Sequence, residues 1–152
     1  MDEESYRELY QRYNHRRCPF EKAILATHCQ CSQARKLLLA EREAVRCESD
    51  AGQARCLRWL DRLHQAARFA LRTREGRARL PHAKAIRLQV GGLRGLHGVL
   101  HPGEPVPTPI PDIAGLLEAA EAQPGGFEAL PFEPIIQAMN AWEGRRPKRR
   151  RR

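Results

Sequence analysis

Hydrophobic residues recur at helical intervals along most of this chain. In "SYRELYQRYN", Tyr6, Leu9, Tyr10 and Tyr13 follow the i, i+3, i+4, i+7 stripe of a short amphipathic helix that should end near Asn14. Pro19 suits the first turn of a second helix, where the amide it lacks would have no partner anyway. Phe20, Ile24, Cys31, Leu38 and Val45 then keep a roughly helical spacing as far as Cys47. After a turn at "CESD", Asp50 and Gln53 read as a capping box for a third helix through about Arg72. Cys56, Leu60, Leu63, Ala67 and Ala70 form its inward stripe, with Leu57, His64 and Leu71 beside it. The pattern predicts an antiparallel helical hairpin over residues 19–72 with arginines on its outer face.

Beyond the connector "RTREGRARLP", the segment "HAKAIRLQV" reads as a short helix with Ala83, Ile86, Val90 and Leu93 on one side. In "GGLRGLHGVLHP", Gly92, Gly95 and Gly98 alternate with Leu93, Leu96 and Val99. With no GK[ST] or GxGxxG after a predicted strand, a phosphate loop is unsupported. Each interior glycine costs about 1 kcal/mol relative to alanine in a helix. The segment therefore reads as a glycine-faced helix or tight helical turn on which another element packs closely. The proline-rich connector over 101–111 should run extended. Asp112 caps "IAGLLEAAEA", "QPGG" breaks that helix, and Pro134 opens a last one with Ile135, Ile136, Met139 and Trp142 inward. No stretch alternates with period two between hairpin turns, and no repeat appears. The expectation is an all-α single domain over 1–144, with an acidic helical segment over 112–144 and a disordered arginine-rich tail over 145–152.

Charge sharpens this layout. Seven of the nine net positive charges sit in the last eight residues, so the body is polarised rather than uniformly basic. Residues 33–87 hold fourteen Lys or Arg against six acids, whereas 101–144 hold seven acids and no Lys or Arg. The acidic part is expected to lie against the basic middle, leaving the tail as the free basic arm. Arg145, Arg146, Lys148, Arg149, Arg150, Arg151 and Arg152 could bind phosphates or an acidic surface by counterion release, without sequence preference. Arg55, Arg58, Arg62 and Arg72 would extend that surface.

The acidic start lacks the pattern of a secretory signal, and no run of 18 apolar residues offers a membrane span. A cytoplasmic protein is expected, in which Cys18, Cys29, Cys31, Cys47 and Cys56 are core residues, metal ligands or redox thiols rather than disulfides. All five fall within 39 residues, around "ATHCQCSQ". In one unbroken helix over 20–46, Cys29 and Cys31 would point to nearly opposite sides, so a shared metal requires a break near Gln30, which Ser32 could supply as an N-cap. A helix from Ser32 to Arg46 is about 21 Å long and keeps Cys29 and Cys31 away from Cys47. A site built from Cys29, Cys31, Cys47 and Cys56 then survives only if that helix is interrupted or much shorter. A turn centred near Glu48 would instead bring His64 to the CxC, so Cys18, Cys29 and Cys31 with His64 or His28 form the reasonable set. Against these stand Cys56 as plain core, Cys47 as a turn residue whose reactivity Arg46 could raise, and His82, His97 and His101 as surface or helix-end residues.

A Cys31–His64 nucleophile pair lacks a third orienting group and an oxyanion donor, so a self-sufficient enzyme is not expected. The leading expectation is an accessory protein that binds an iron–sulfur cluster or zinc through Cys29 and Cys31, with help from Cys18 or the later cysteines, and that carries, senses or docks onto a larger redox or biosynthetic complex. The second is a metal-free helical adaptor holding nucleic acid or an acidic protein through the hairpin face and tail.

Overall fold

The computed structural model describes residues 2–71 and 82–144. Helix α1 (Glu3–Tyr13) begins on Asp2, whose carboxylate accepts the Ser5 amide at 2.7 Å, and ends at Asn14. A one-turn α2 (Glu21–Leu25) follows Pro19. The chain then forms two antiparallel strands, β1 (Ala34–Leu39) and β2 (Arg42–Cys47), before the long α3 (Asp50–Leu71). Helix α4 (His82–Ile86) runs through a π turn (Arg87–Gly91) into α5 (Gly92–Leu100). Helix α6 (Ile113–Glu121), a 3₁₀ turn (Gly126–Ala129) and α7 (Phe132–Ala141) complete the described chain. None of its helices is long and apolar enough to cross a membrane.

The two strands overturn the all-α expectation: the molecule is mainly helical, but its 34–47 segment is a β-hairpin, so 19–72 is not a helical hairpin. Leu38, placed on the inward stripe by helical spacing, is 72 % exposed. Tertiary pairing outweighs the helix propensity of "KLLLAEREA". Residues 16–18 lie extended along the outer edge of β2, where the Cys18 amide donates to the Val45 carbonyl at 3.0 Å and the Cys47 amide to that of Arg16 at 2.8 Å. The Glu21 carboxylate takes the Val45 amide at 2.8 Å, and Leu39 faces Arg42 across a two-residue turn with Ala40 at φ 56°.

The core gathers on α3, whose Trp59 and Leu63 are fully buried beside Leu93 and Leu96 of α5, Leu117 of α6 and Ile135 of α7. Trp59 stacks on Phe132 and tilts against Phe127, so the inward face of α3 centres between Cys56 and Trp59, while Leu57 is exposed. The helix is capped by Ser49, whose hydroxyl accepts the Gly52 amide at 2.9 Å, one residue before the Asp50 that the capping box predicts. The glycine-faced reading of α5 holds at Gly95, where an added Cβ would stand 2.8 Å from the Ile135 Cα of α7. The acidic segment does lie against the basic helix: Arg55 and Arg58 both reach Glu121, at 3.1 and 2.9 Å, and Arg62 reaches Glu128 at 3.0 Å. Arg72 and the tail residues 145–152 lie outside the described residues.

Candidate metal centre

Four separate pieces of chain deliver the cysteines. Cys18 sits on the extended stretch that pairs with β2, and Cys47 ends β2 itself. Their neighbours Arg17 and Arg46 are directly opposed, so Cys18 and Cys47 fall on the same face of the paired chains as diagonal neighbours. Cys31 precedes β1 and offers its carbonyl to the Ala34 amide at 3.2 Å, and Ala34 is the cross-strand partner of Cys47. Cys56 lies two turns into α3, a helix tied to the same layer by a 2.8 Å hydrogen bond from Gln53 Nε2 to the Arg17 carbonyl.

The CxC stretch is held from the far side of the molecule. The Gln30 amide donates to the Ile110 carbonyl at 2.8 Å, Ile110 returns its amide to His28, and the Ile113 amide donates to Gln30. Asp112 precedes α6, but its carboxylate makes no capping hydrogen bond. It accepts both the amide and the hydroxyl of Ser32 at 2.9 Å. One aspartate thus fixes the exit of the cysteine loop, a role its position as a helix cap does not announce.

The thiols share one largely buried environment. Burial foremost, then Cys31 and Cys47, push Cys18 up to about 12, with the Phe20 amide pulling the other way. Burial and then Cys18, Cys31 and Cys47 push Cys56 up to about 12. Cys31 is raised by burial, opposed by the amides of Gln33 and Ala114, and raised further by Asp112 and Cys47. Other cysteines thus add to the rise at Cys18, Cys31 and Cys56. Burial foremost, then Cys18 and Cys31, push Cys29 up to about 12 as well. The Ala114 amide belongs to the first turn of α6, where backbone donors have no partner within the helix and favour a negative sulfur. Cys47 instead donates its thiol to the Ser49 carbonyl at 3.2 Å.

The grouping differs from the set reasoned from a helical hairpin. His64 sits among Asp61 and Arg68, and burial, then Arg68, lower its pKa; no cysteine figures there. His28 turns its ring edge-on to Trp142, with centroids 4.9 Å apart. Strand pairing brings Cys47, which a straight helix would have carried away, beside the stretches that hold Cys18 and Cys31, and Gln53 ties the helix bearing Cys56 to the same layer. The cysteine layer meets solvent at a cavity of about 210 Å³ lined by Cys29, Gln30, Cys31 and Lys36 among others. Among the described residues, no three His, Cys, Asp or Glu side chains are placed to hold a single metal ion. Comparison of the chain with family models, curated proteins and solved structures finds no match.

Proposed function

We propose that this protein is a thiolate-bound metal carrier, with Cys18, Cys31, Cys47 and Cys56 supplying the ligands for zinc or an iron–sulfur cluster. One observation carries the reading: strand pairing sets Cys18 and Cys47 as diagonal neighbours on one face, Cys31 stands just before Ala34, the partner of Cys47, and Gln53 ties the helix bearing Cys56 to Arg17, with three of these cysteines buried and Cys31 half-buried. Such a grouping is more than core packing asks of cysteine, which behaves there as a small hydrophobe with no need of other sulfurs. An all-sulfur donor set suits zinc and iron–sulfur clusters and disfavours the hard ions that take oxygen ligands. The amides of Phe20, Gln33 and Ala114 would stabilise the sulfurs as thiolates once bound. The role is accessory, carrying the metal group to or within a larger complex.

The metal-free adaptor draws less support, because Arg55, Arg58 and Arg62 spend their charge on Glu121 and Glu128. The test is purification without oxygen and without a His tag, followed by metal and sulfide analysis. Stoichiometric metal in the wild type and its loss in Cys31→Ser and Cys56→Ser are expected. A well-folded protein that takes up no metal after reconstitution refutes the reading.

A further inference from the structure

We infer that the end of α5 carries a separate metal site, in which His97 and His101 hold one divalent transition ion of the zinc or nickel class and Glu104 orients His101. The inference goes beyond the cysteine reading and uses none of its residues.

Local structure brings the two imidazoles together. In "HGVLH" the histidines stand four residues apart, and the His101 amide donates to the His97 carbonyl at 2.9 Å, so the helical spacing runs on through the cap. Residues four apart share one helix face. The ring centres lie 4.7 Å apart, with the planes tilted by 39°. Two imidazole nitrogens bound at about 2.0–2.1 Å to one tetrahedral ion stand about 3.3 Å from each other. Rings this close reach that spacing by side-chain rotation alone, and His101, whose side chain is 46 % exposed, has room to turn.

An unmet nitrogen marks the same spot. The His97 Nδ1 is buried, and among the described residues no group hydrogen-bonds to it. Two rings that merely stack leave that nitrogen without a partner, which costs stability. A metal ion takes up its lone pair, and the tautomer that offers it keeps the proton on Nε2.

The chain beyond the helix supplies the support. Pro102 followed by Gly103 at φ 78°, with the Glu104 amide donating to the His101 carbonyl at 3.2 Å, has the marks of a type II turn. That turn returns the Glu104 carboxylate to 3.6 Å from the His101 Nδ1. Ligating histidines commonly donate their other N–H to a carboxylate, which fixes the ring and leaves Nε2 for the metal. A helix C-terminus also favours a cation. Arg94, one turn before His97, brings opposing charge, but its guanidinium is drawn to the Pro107 carbonyl and the Thr108 hydroxyl, both at 3.0 Å. Imidazole donors suit zinc, nickel and copper rather than calcium or magnesium. No third side chain among the described residues joins them as a ligand, so water completes the coordination.

Zinc chloride is titrated into the full chain while the ring signals of all six histidines are followed by NMR. His97 and His101 should shift together, ahead of the other four, and should do so again in Cys31→Ser, where the cysteine centre is broken. Magnesium should leave both signals in place. Glu104→Gln should weaken the binding about tenfold to a hundredfold. His101→Gln, at an exposed position, should abolish the response of His97, with a thermal melt confirming that the variant is folded. His97 and His101 signals that stay fixed in excess zinc overturn the inference. So does a response shared equally by all six histidines, one lost in folded Cys31→Ser, or one that survives His101→Gln.

Discussion

Two glycines on one short helix should respond to the same substitution with opposite signs. At Gly95 of α5, an added Cβ would stand 2.8 Å from the Cα and 2.9 Å from the carbonyl oxygen of Ile135, and 3.1 Å from the Ala138 Cβ. Two of these are backbone atoms of α7, which cannot rotate away, so the helices must part by roughly half an ångström. The seam that opens holds Leu96, Ile135, Ile136 and Met139, all buried. Overpacking of this kind costs about 1–3 kcal/mol, against a gain of about 1 kcal/mol for replacing an interior helical glycine. Gly95→Ala should therefore be destabilising by up to about 2 kcal/mol. At Gly98, one turn on, an added Cβ would meet nothing within 4 Å. There Gly98→Ala keeps only the conformational gain, roughly 0.5–1 kcal/mol. For a chain of this size, each kcal/mol moves Tm by about 2–4 °C. Thermal unfolding followed by circular dichroism should show Gly95→Ala melting below the wild type and Gly98→Ala above it. If both variants melt higher, α5 and α7 are not apposed at Gly95 and the packing argument fails.

Two further outcomes test the ties around the site and the charge layout. Glu21→Ala removes the acceptor of the Val45 amide and of the Tyr10 hydroxyl, at 2.8 and 2.9 Å, and should cost about 1–3 kcal/mol while speeding hydrogen exchange at Val45. Unchanged exchange there would mean that Glu21 does not hold β2. Burial pushes the Glu121 carboxyl up, but the hydrogen bonds from Arg58 and Arg55 outweigh it and hold its pKa below 4.5. A lowered folded-state pKa contributes stability that is present above the unfolded value and lost as pH falls through the folded one. Glu121→Gln should therefore reduce the loss of stability below about pH 4.3, with an effect at neutral pH within about 1 kcal/mol that shrinks in high salt. An acid limb identical to wild type would show that the pair carries no linkage.

Where the helical pattern meets a single packed face, sequence and structure agree: α3 spans Asp50–Leu71 and α7 buries Ile135, Ile136 and Met139, while α1 ends at Tyr13 as its spacing predicts but buries none of its residues. The 34–47 segment was illegible for physical reasons. Ala44 and Val45 are both fully buried although they point to opposite faces, because β2 is covered on both sides, and this erases the alternation that marks a strand. The turn offers no glycine or asparagine at its left-handed position, which Ala40 occupies instead. The pairing that decides the matter comes from residues 16–18, outside the window in which periodicity is read. Leucines 37 to 39 then look like good helix, and nothing local says otherwise.

The same misreading governed the cysteines. A helix from Ser32 to Arg46 would end about 21 Å from where it began, and on that geometry Cys31 and Cys47 could not cooperate. A hairpin covers the same residues by running out along β1 and back along β2, so its two ends return to one place. Ala34 faces Cys47 across the strands, Cys31 stands just before Ala34, and the turn into α3 carries Cys56 back over the layer. The straight helix that would have parted Cys31 from Cys47 is replaced by the hairpin, which brings their backbones to the same end of the paired strands. Cys18 and Cys47 lie on chains joined by strand pairing, whereas Cys29 is held by the separate bridge with Ile110. His64 needed a helical partner opposite it to reach the CxC, and with that helix gone it falls away from the site. The cysteine spacing thus makes sense only with the β-hairpin, and the hairpin is the piece of structure that turns four distant thiols into one candidate centre.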